Sequence, residues 1–238
     1  MLEVEGLIKK YGNQYAVNGI NFSLEGGEVV GLLGPNGAGK STTMKCIVGL
    51  LRKTAGEIRI GGHDHLSVEA KKLFSYIPET PHVYDLLTVQ EHLQFIAQAY
   101  SVSDWKQKAE HWMEMYELID KKDKLGRDLS KGMRQKVSIC CALLPDPKVL
   151  FFDEPMIGLD PKAIKNTKRI FRELKEQGKT ILVSTHLIDS VESIADRIMI
   201  MKDGNIIGND TLSNLKASFN QENDASLEDL FLELTKDE

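Results

Sequence analysis

Val29-Val30-Gly31-Leu32-Leu33-Gly34-Pro35-Asn36-Gly37-Ala38-Gly39-Lys40-Ser41-Thr42 reads as a buried strand, a glycine-rich turn and the start of a helix, in that order. Val29–Leu33 is continuously apolar, as a strand covered on both faces of a parallel sheet is. Gly34–Ser41 then fits the pattern G-x-x-x-x-G-K-[ST]. Its glycines let the backbone close around phosphate oxygens. The amides of Gly37, Ala38, Gly39, Lys40, Ser41 and Thr42 gather where a helix begins, and orphan donors with the helix dipole favour an anion there. Lys40 adds a point charge suited to the β- and γ-phosphates, and the Ser41 hydroxyl is placed to ligate Mg²⁺. Gly34, Asn36, Gly37, Ala38, Gly39, Lys40, Ser41 and Thr42 are therefore the candidate nucleotide-binding residues. A helix over Ser41–Leu51 is expected to follow.

Working outward, strands and helices alternate, which points to an α/β fold with a mostly parallel sheet. Strands are expected over Leu2–Ile8, Ile20–Leu24, Val29–Leu33, Glu57–Ile60, Leu73–Ile77, Val149–Phe152, Thr180–Ser184, Arg197–Met201 and Ile206–Gly208. The strand-rich beginning, with glycine pairs at Gly26-Gly27 and Gly61-Gly62, predicts an antiparallel β-layer beside the parallel core. The middle is helical. Thr88-x-x-Glu91 is a capping box; Trp105, Ala109, Trp112, Tyr116 and Ile119 recur at steps of four and three on one face; Ser130 opens a further helix that Pro145 stops. Residues 85–145 thus read as a helical subdomain inserted into one domain spanning 1–238. After Pro161 a helix runs to Gln177, with Gly178 at its end. Residues 211–238 read as a helical extension, its last helix capped by Ser226-x-x-Asp229.

A second cluster ends the apolar run Val149–Phe152: Asp153 and Glu154. A buried strand tolerates carboxylates at its end when they have work to do, because an unpaired buried carboxylate is strongly disfavoured. Beside a phosphate loop, Asp153 is expected to face Mg²⁺ and Glu154 an attacking water, as a general base worth roughly 10²–10⁴-fold.

Between these clusters lies Leu129-Ser130-Lys131-Gly132-Met133-Arg134-Gln135-Lys136. It resembles the signature sequence of ABC-type ATPases, Leu-Ser-Gly-Gly-Gln in its commonest form, from which Lys131 and Met133 depart. Alone the segment is only a capped helix start; its place ahead of Asp153 makes the resemblance. Gly158-Leu159-Asp160 resembles the D-loop, Ser184-Thr185-His186 the switch histidine segment, and Tyr11 the aromatic that stacks on adenine. The resemblance covers Leu2 to Asp210 and implies a P-loop NTPase core of the RecA-like type. Tyr76-Ile77-Pro78-Glu79-Thr80-Pro81 stands where most members carry a glutamine. That glutamate, the Leu-Ser-Lys-Gly-Met signature and the ending Leu-Glu-Asp-Leu-Phe-Leu-Glu-Leu-Thr-Lys together resemble Ecs-type ATPase subunits of Gram-positive bacteria.

The resemblance implies ATP and Mg²⁺ as ligands, with Ser41, Glu79 and Asp153 on the metal side. It implies Glu154, His186 and Lys40 as catalytic residues, and Tyr11, Ser130, Gly132 and Asp160 around nucleotide. It also implies a head-to-tail dimer of ATPase domains, a separate membrane permease, export of its cargo, and a place on the cytoplasmic face of the membrane. Other classes are less favoured. An ABC ATPase acting on DNA or ribosomes usually carries a long coiled-coil insertion or paired domains, and neither is visible. A regulatory subunit that only senses ATP would not need both Glu154 and His186. A P-loop kinase would lack the signature and the switch histidine.

Composition agrees with that reading. The 238 residues, 42% hydrophobic and 27% charged, are ordinary for a globular protein. A net charge of −5 argues against a nucleic-acid partner without arguing against a local anion site. Cys46, Cys140 and Cys141 have neither disulfide-framework nor metal-ligand spacing and are expected to be core residues of a reducing compartment. No stretch approaches the ~18 apolar residues of a membrane span, and the start, Met1-Leu-Glu-Val-Glu, is acidic where a signal peptide would be basic and then apolar. A soluble chain that works at a membrane is therefore expected to need a membrane partner.

Overall fold

A computed structural model of the chain describes residues 1–186, 188–218 and 231. The strands fall into two sheets. β1 (Leu2–Tyr11) and β2 (Gln14–Leu24) pair antiparallel across a tight turn at Gly12. Both are longer than the alternation predicted, because the register shifts between Val4 and Leu7, Leu7 and Ile8, and Lys9 and Lys10. Bulges of that kind break the period of two by which a strand is recognised. β3 (Val29–Leu33) leads through the phosphate loop into α1 (Lys40–Ile47). The expected helix to Leu51 stops early because Gly49, at φ 78°, turns the chain. β4 (Ala55–Ile60), the short β5 (His63–Asp64), α2 (Val68–Lys71) and β6 (Phe74–Ile77) follow.

Three helices separate β6 from the next strand: α3 (Val89–Ala99), α4 (Trp105–Met115) and α5 (Lys131–Leu143). Thr88 caps α3 in a reciprocal box. Its hydroxyl accepts from the Glu91 amide at 3.1 Å, and the Glu91 carboxylate accepts from the Thr88 amide at 2.7 Å. Such a cap contributes about 1 kcal/mol. α4 buries Ala109 and Met113, and Tyr116 just past its end reaches Thr167 at 3.0 Å. Ile119, expected on the same helix, lies in a 3₁₀ turn beyond it. The remaining elements are β7 (Val149–Asp153), α6 (Pro161–Glu176), β8 (Thr180–Ser184), α7 (Ile188–Glu192), β9 (Arg197–Lys202), β10 (Asn205–Asp210) and α8 (Leu212–Ser218). The expected helix capped at Ser226 lies outside the described residues, except that Phe231 packs against the core.

The first sheet runs β2-β1-β4-β5 and the second β10-β9-β3-β8-β7-β6. The second is parallel except for its edge strand β10. β3, β7 and β8 are buried along their whole length, which explains their unbroken apolar sequences. One core lies between the two sheets around Met44, Ile47, Phe151 and Met199. The other, on the far face of the second sheet, joins Phe152 and Phe171 to the helices that follow β6. Cys46 and Cys140 are buried free thiols, and burial pushes the Cys141 thiol up to about 12, so the three behave as packing groups. Among the described residues no helix is long and apolar enough to cross a membrane.

Candidate nucleotide and metal site

β3, β8 and β7 are neighbours in the parallel sheet, and the chain leaves all three at their carboxyl ends. That is where open α/β sheets collect ligands. The first strand delivers the glycine loop, the second His186, and the third Asp153 and Glu154. Loop residues 36–42, Glu79, Glu154 and His186 together line a cavity of about 280 Å³. Gly39 is required by geometry. It sits at φ 106°, and a Cβ there would lie 2.4 Å from the carbonyl oxygen of Ala16.

Lys40 is only 7% exposed, and its ammonium donates to the carbonyl oxygens of Gly34 at 2.6 Å and Pro35 at 3.1 Å. Burial lowers its pKa below the usual lysine range, and the charges of Glu154, Asp153 and Glu79 act to raise it again. Asp153 is 1% exposed and accepts three hydroxyls. Ser41 reaches Oδ1 at 2.9 Å, Ser184 reaches Oδ1 at 2.6 Å, and Tyr76 reaches Oδ2 at 3.2 Å.

These donors fit Mg²⁺. Ser41 Oγ and Asp153 Oδ1 are hard oxygens within hydrogen-bond distance of each other, and Ser41 and Glu79 line the cavity. Among the described residues no group of three or more His, Cys, Asp or Glu could hold a metal. Mg²⁺ needs none, since it is usually bound by one or two carboxylates with substrate phosphates and water.

Glu154 is held in a costly state. Its φ of 50° lies in the left-handed region, which a non-glycine residue enters at a cost of about 1–2 kcal/mol. The Ser184 carbonyl fixes its amide at 3.1 Å. One carboxylate oxygen, Oε1, pairs with His186 Nδ1 at 2.9 Å; the other, Oε2, is buried and has no hydrogen-bond partner among the described residues. A buried carboxylate with one oxygen oriented by an imidazole and the other unpaired is equipped to accept a proton from a bound water.

The other expected residues lie apart from this cavity. Tyr11 is half exposed near the β1–β2 turn, with the Lys9 ammonium 4.8 Å from its ring centre. Ala16 is the residue of that hairpin that lines the cavity. Ser130 caps α5 by accepting from the Met133 amide at 3.3 Å. A Cβ on Gly132 would lie 2.5 Å from the carbonyl oxygen of Gly158, so the close approach visible here is to the D-loop of the same chain. Asp160 caps α6 through the Ala163 amide at 2.8 Å and pairs with Lys136 at 2.7 Å. The hydrogen bond from Lys136, with the Ala163 amide, holds the Asp160 carboxyl below the usual aspartate range. Ser184 and Tyr76 were missed as holders of Asp153. The strand register, Asp153 opposite Ser184, is the signal for the first.

A glycine cradle with a buried lysine, a hard-oxygen corner and an oriented carboxylate, set at the ends of parallel strands, define a P-loop nucleoside triphosphatase. Residues 17–157 match the family model described as ABC transporter. The ABC-type transporter ATP-binding protein EcsA of Bacillus subtilis (strain 168) is 37% identical over 242 residues, covering 100% of this chain and 98% of its own. The SkfA peptide export ATP-binding protein SkfE of the same organism is 35% identical, with 87% of each chain covered. A solved ATP-binding subunit of an ABC transporter superposes with a TM-score of 0.93 at 38% identity, covering 99% of this chain and 100% of that one. The cassette MJ0796, solved as a dimer in a post-hydrolysis state with ADP and Pi, gives 0.78 at 28% identity, over 89% and 99%. The chain belongs to the ABC transporter family, as an ATP-binding subunit that hydrolyses ATP with Mg²⁺ as the family's usual cofactor.

Proposed function

We propose that this chain is the energy-coupling ATPase of an ABC exporter, working as a head-to-tail pair on the cytoplasmic face beneath a separate membrane permease. The observation that carries the catalytic part is the Glu154 carboxylate, paired with His186 through Oε1 and, among the described residues, unpaired at Oε2, on the wall of the phosphate cavity. In this reading the loop amides and Lys40 hold the triphosphate, Ser41 and Asp153 hold the metal, and Tyr11 stacks on the base. Glu154 takes the proton of the attacking water, and His186 orients Glu154 and contacts the γ-phosphate. Bound Mg²⁺ would neutralise phosphate charge. Glu79 adds an oxygen ligand on the metal side where most of the family has a neutral glutamine. Ser130, Gly132 and Asp160 close over the ATP of the partner chain, using donors at the start of α5.

The domain reading goes with this: one ATPase domain over 1–238, a helical subdomain over 85–145 and an extension over 211–238. Between that subdomain and β6 runs a groove of about 260 Å³, lined by Tyr76, Pro78, Tyr84, Phe95 and Tyr100 among others. Tyr84, Phe95 and Tyr100 are exposed aromatic residues there, and the groove is where the permease would dock. Export, in preference to import, is supported by the relative named for peptide export.

Glu154→Gln should retain ATP binding and lower turnover by ~10² or more. ATP titration and phosphate release measure the two separately, and near-normal turnover would place the base elsewhere. In the same assay, unchanged turnover in both Glu79→Gln and Glu79→Ala would remove Glu79 from the site.

A further inference from the structure

We propose that Tyr76 is a positioning residue for the metal-side carboxylate: its phenol fixes Asp153 Oδ2 and so sets the affinity of the site for the divalent cation. The inference rests on the reading of Asp153 as a metal-side residue.

The argument begins with register. β6 and β7 are parallel neighbours, with Tyr76 opposite Phe151 and Ile77 opposite Phe152. Side chains two apart on a strand share a face, so Phe151 and Asp153 project to the same side as Tyr76. Asp153 lies one step of that face further along, at the reach of a tyrosine and beyond that of a smaller hydroxyl. The phenol donates to Oδ2 at 3.2 Å, while Ser184 donates to Oδ1 at 2.6 Å. The two hydroxyls hold opposite oxygens of one carboxylate and oppose its rotation.

Ser41 also bonds Oδ1, and Ser41 is the hydroxyl that is expected to turn to the metal. The bonds from Tyr76 and Ser184 do not depend on that turn, so they can keep the carboxylate aimed throughout. Packing alone does not call for the hydroxyl. The ring is partly buried against the core between the sheets, close to the edge-to-face pair of Phe74 and Phe151, where phenylalanine would serve as well. Tyr76 is also among the residues that line the groove beside the helical subdomain, so β6 adjoins both the surface proposed for docking and the carboxylate proposed for the metal.

The test is Tyr76→Phe in the full chain, with Asp153→Asn as the control on the underlying reading. ATP affinity is titrated in EDTA and again across a Mg²⁺ series, and Mn²⁺ binding in the presence of a non-hydrolysable ATP analogue is followed by electron paramagnetic resonance. Loss of one hydrogen bond to a charged acceptor predicts that Tyr76→Phe needs about tenfold more metal for half-saturation. Affinity for metal-free ATP should stay within about twofold, because the hydroxyl does not touch the loop. Should Asp153→Asn shift the metal requirement while Tyr76→Phe leaves it unchanged, the positioning role is overturned. An equal loss of metal-free and metal-bound ATP affinity in Tyr76→Phe would overturn it too, as the mark of a packing role. Unchanged metal dependence in Asp153→Asn would instead remove the assignment of Asp153 itself.

Discussion

Lys40 carries two opposed demands. Its proposed role in phosphate binding needs its charge, and burial disfavours it, so its pKa in the folded chain sits below the 10.5 of an exposed lysine. Between those two values the unfolded chain holds the proton more firmly than the folded one. Stability of the nucleotide-free chain therefore rises as pH climbs through that window. ATP affinity should run the other way over the same window, because deprotonation removes the charge that faces the phosphates. Thermal melts and ATP titrations across a common alkaline series check both trends, and Lys40→Ala should abolish them together. Parallel trends, or an unchanged affinity in Lys40→Ala, would sink the assignment. Much of the site at this scale was legible because its parts are contiguous: Gly34–Ser41 is one word and Asp153-Glu154 another. Ser184 and Tyr76 were not, since each meets Asp153 only through pairing between strands distant in sequence. Local spacing does not encode that pairing.

At the scale of elements, the start of α5 is joined to the segment between β7 and α6 at three points. Gly132 lies against the Gly158 carbonyl, Lys136 pairs with Asp160, and the buried Gln135 donates to the Pro155 carbonyl at 3.3 Å. The last contact lies one residue from Glu154. A group placed on Ser130 is thus connected by packed backbone to the strand end of its own chain that carries Glu154, the proposed base. Gly132→Ala should strain this joint, because the carbonyl it would strike is main chain and cannot swing away. The expected cost is about 1–3 kcal/mol, seen as a lower melting temperature. ATP binding should be nearly unchanged in the monomer, since Gly132 does not line the cavity. A variant with wild-type stability would show the contact to be slack. The helices were readable from caps and stops, Thr88, Ser130, Pro145 and Pro161 among them. The two strands of the first hairpin were read short, because bulges disrupt the alternation that marks a strand.

For the whole molecule, the division of expected residues into two groups is the informative fact. Lys40, Ser41, Asp153, Glu154 and His186 meet in one place, while Ser130 and Gly132 stand at the start of α5, to which Asp160 is tied through Lys136, and these three line no part of the cavity. A head-to-tail pair would join the first group of one copy to the second group of the other, giving two composite sites related by a twofold axis. Complementation tests this. Lys40→Ala removes the lysine proposed to hold the phosphates. Ser130→Asp keeps a capping side chain for α5 but sets a negative charge where a γ-phosphate would come. Each variant alone should be inactive while melting close to wild type. In an equimolar mixture, random pairing makes about half the dimers mixed, and each mixed dimer holds one intact site out of two. Turnover should then recover to about a quarter of wild type, and should rise with chain concentration as pairing does. A mixture no more active than its parts would argue that the sites do not work independently across two chains, and the proposed exchange of Ser130 between copies would have to be given up.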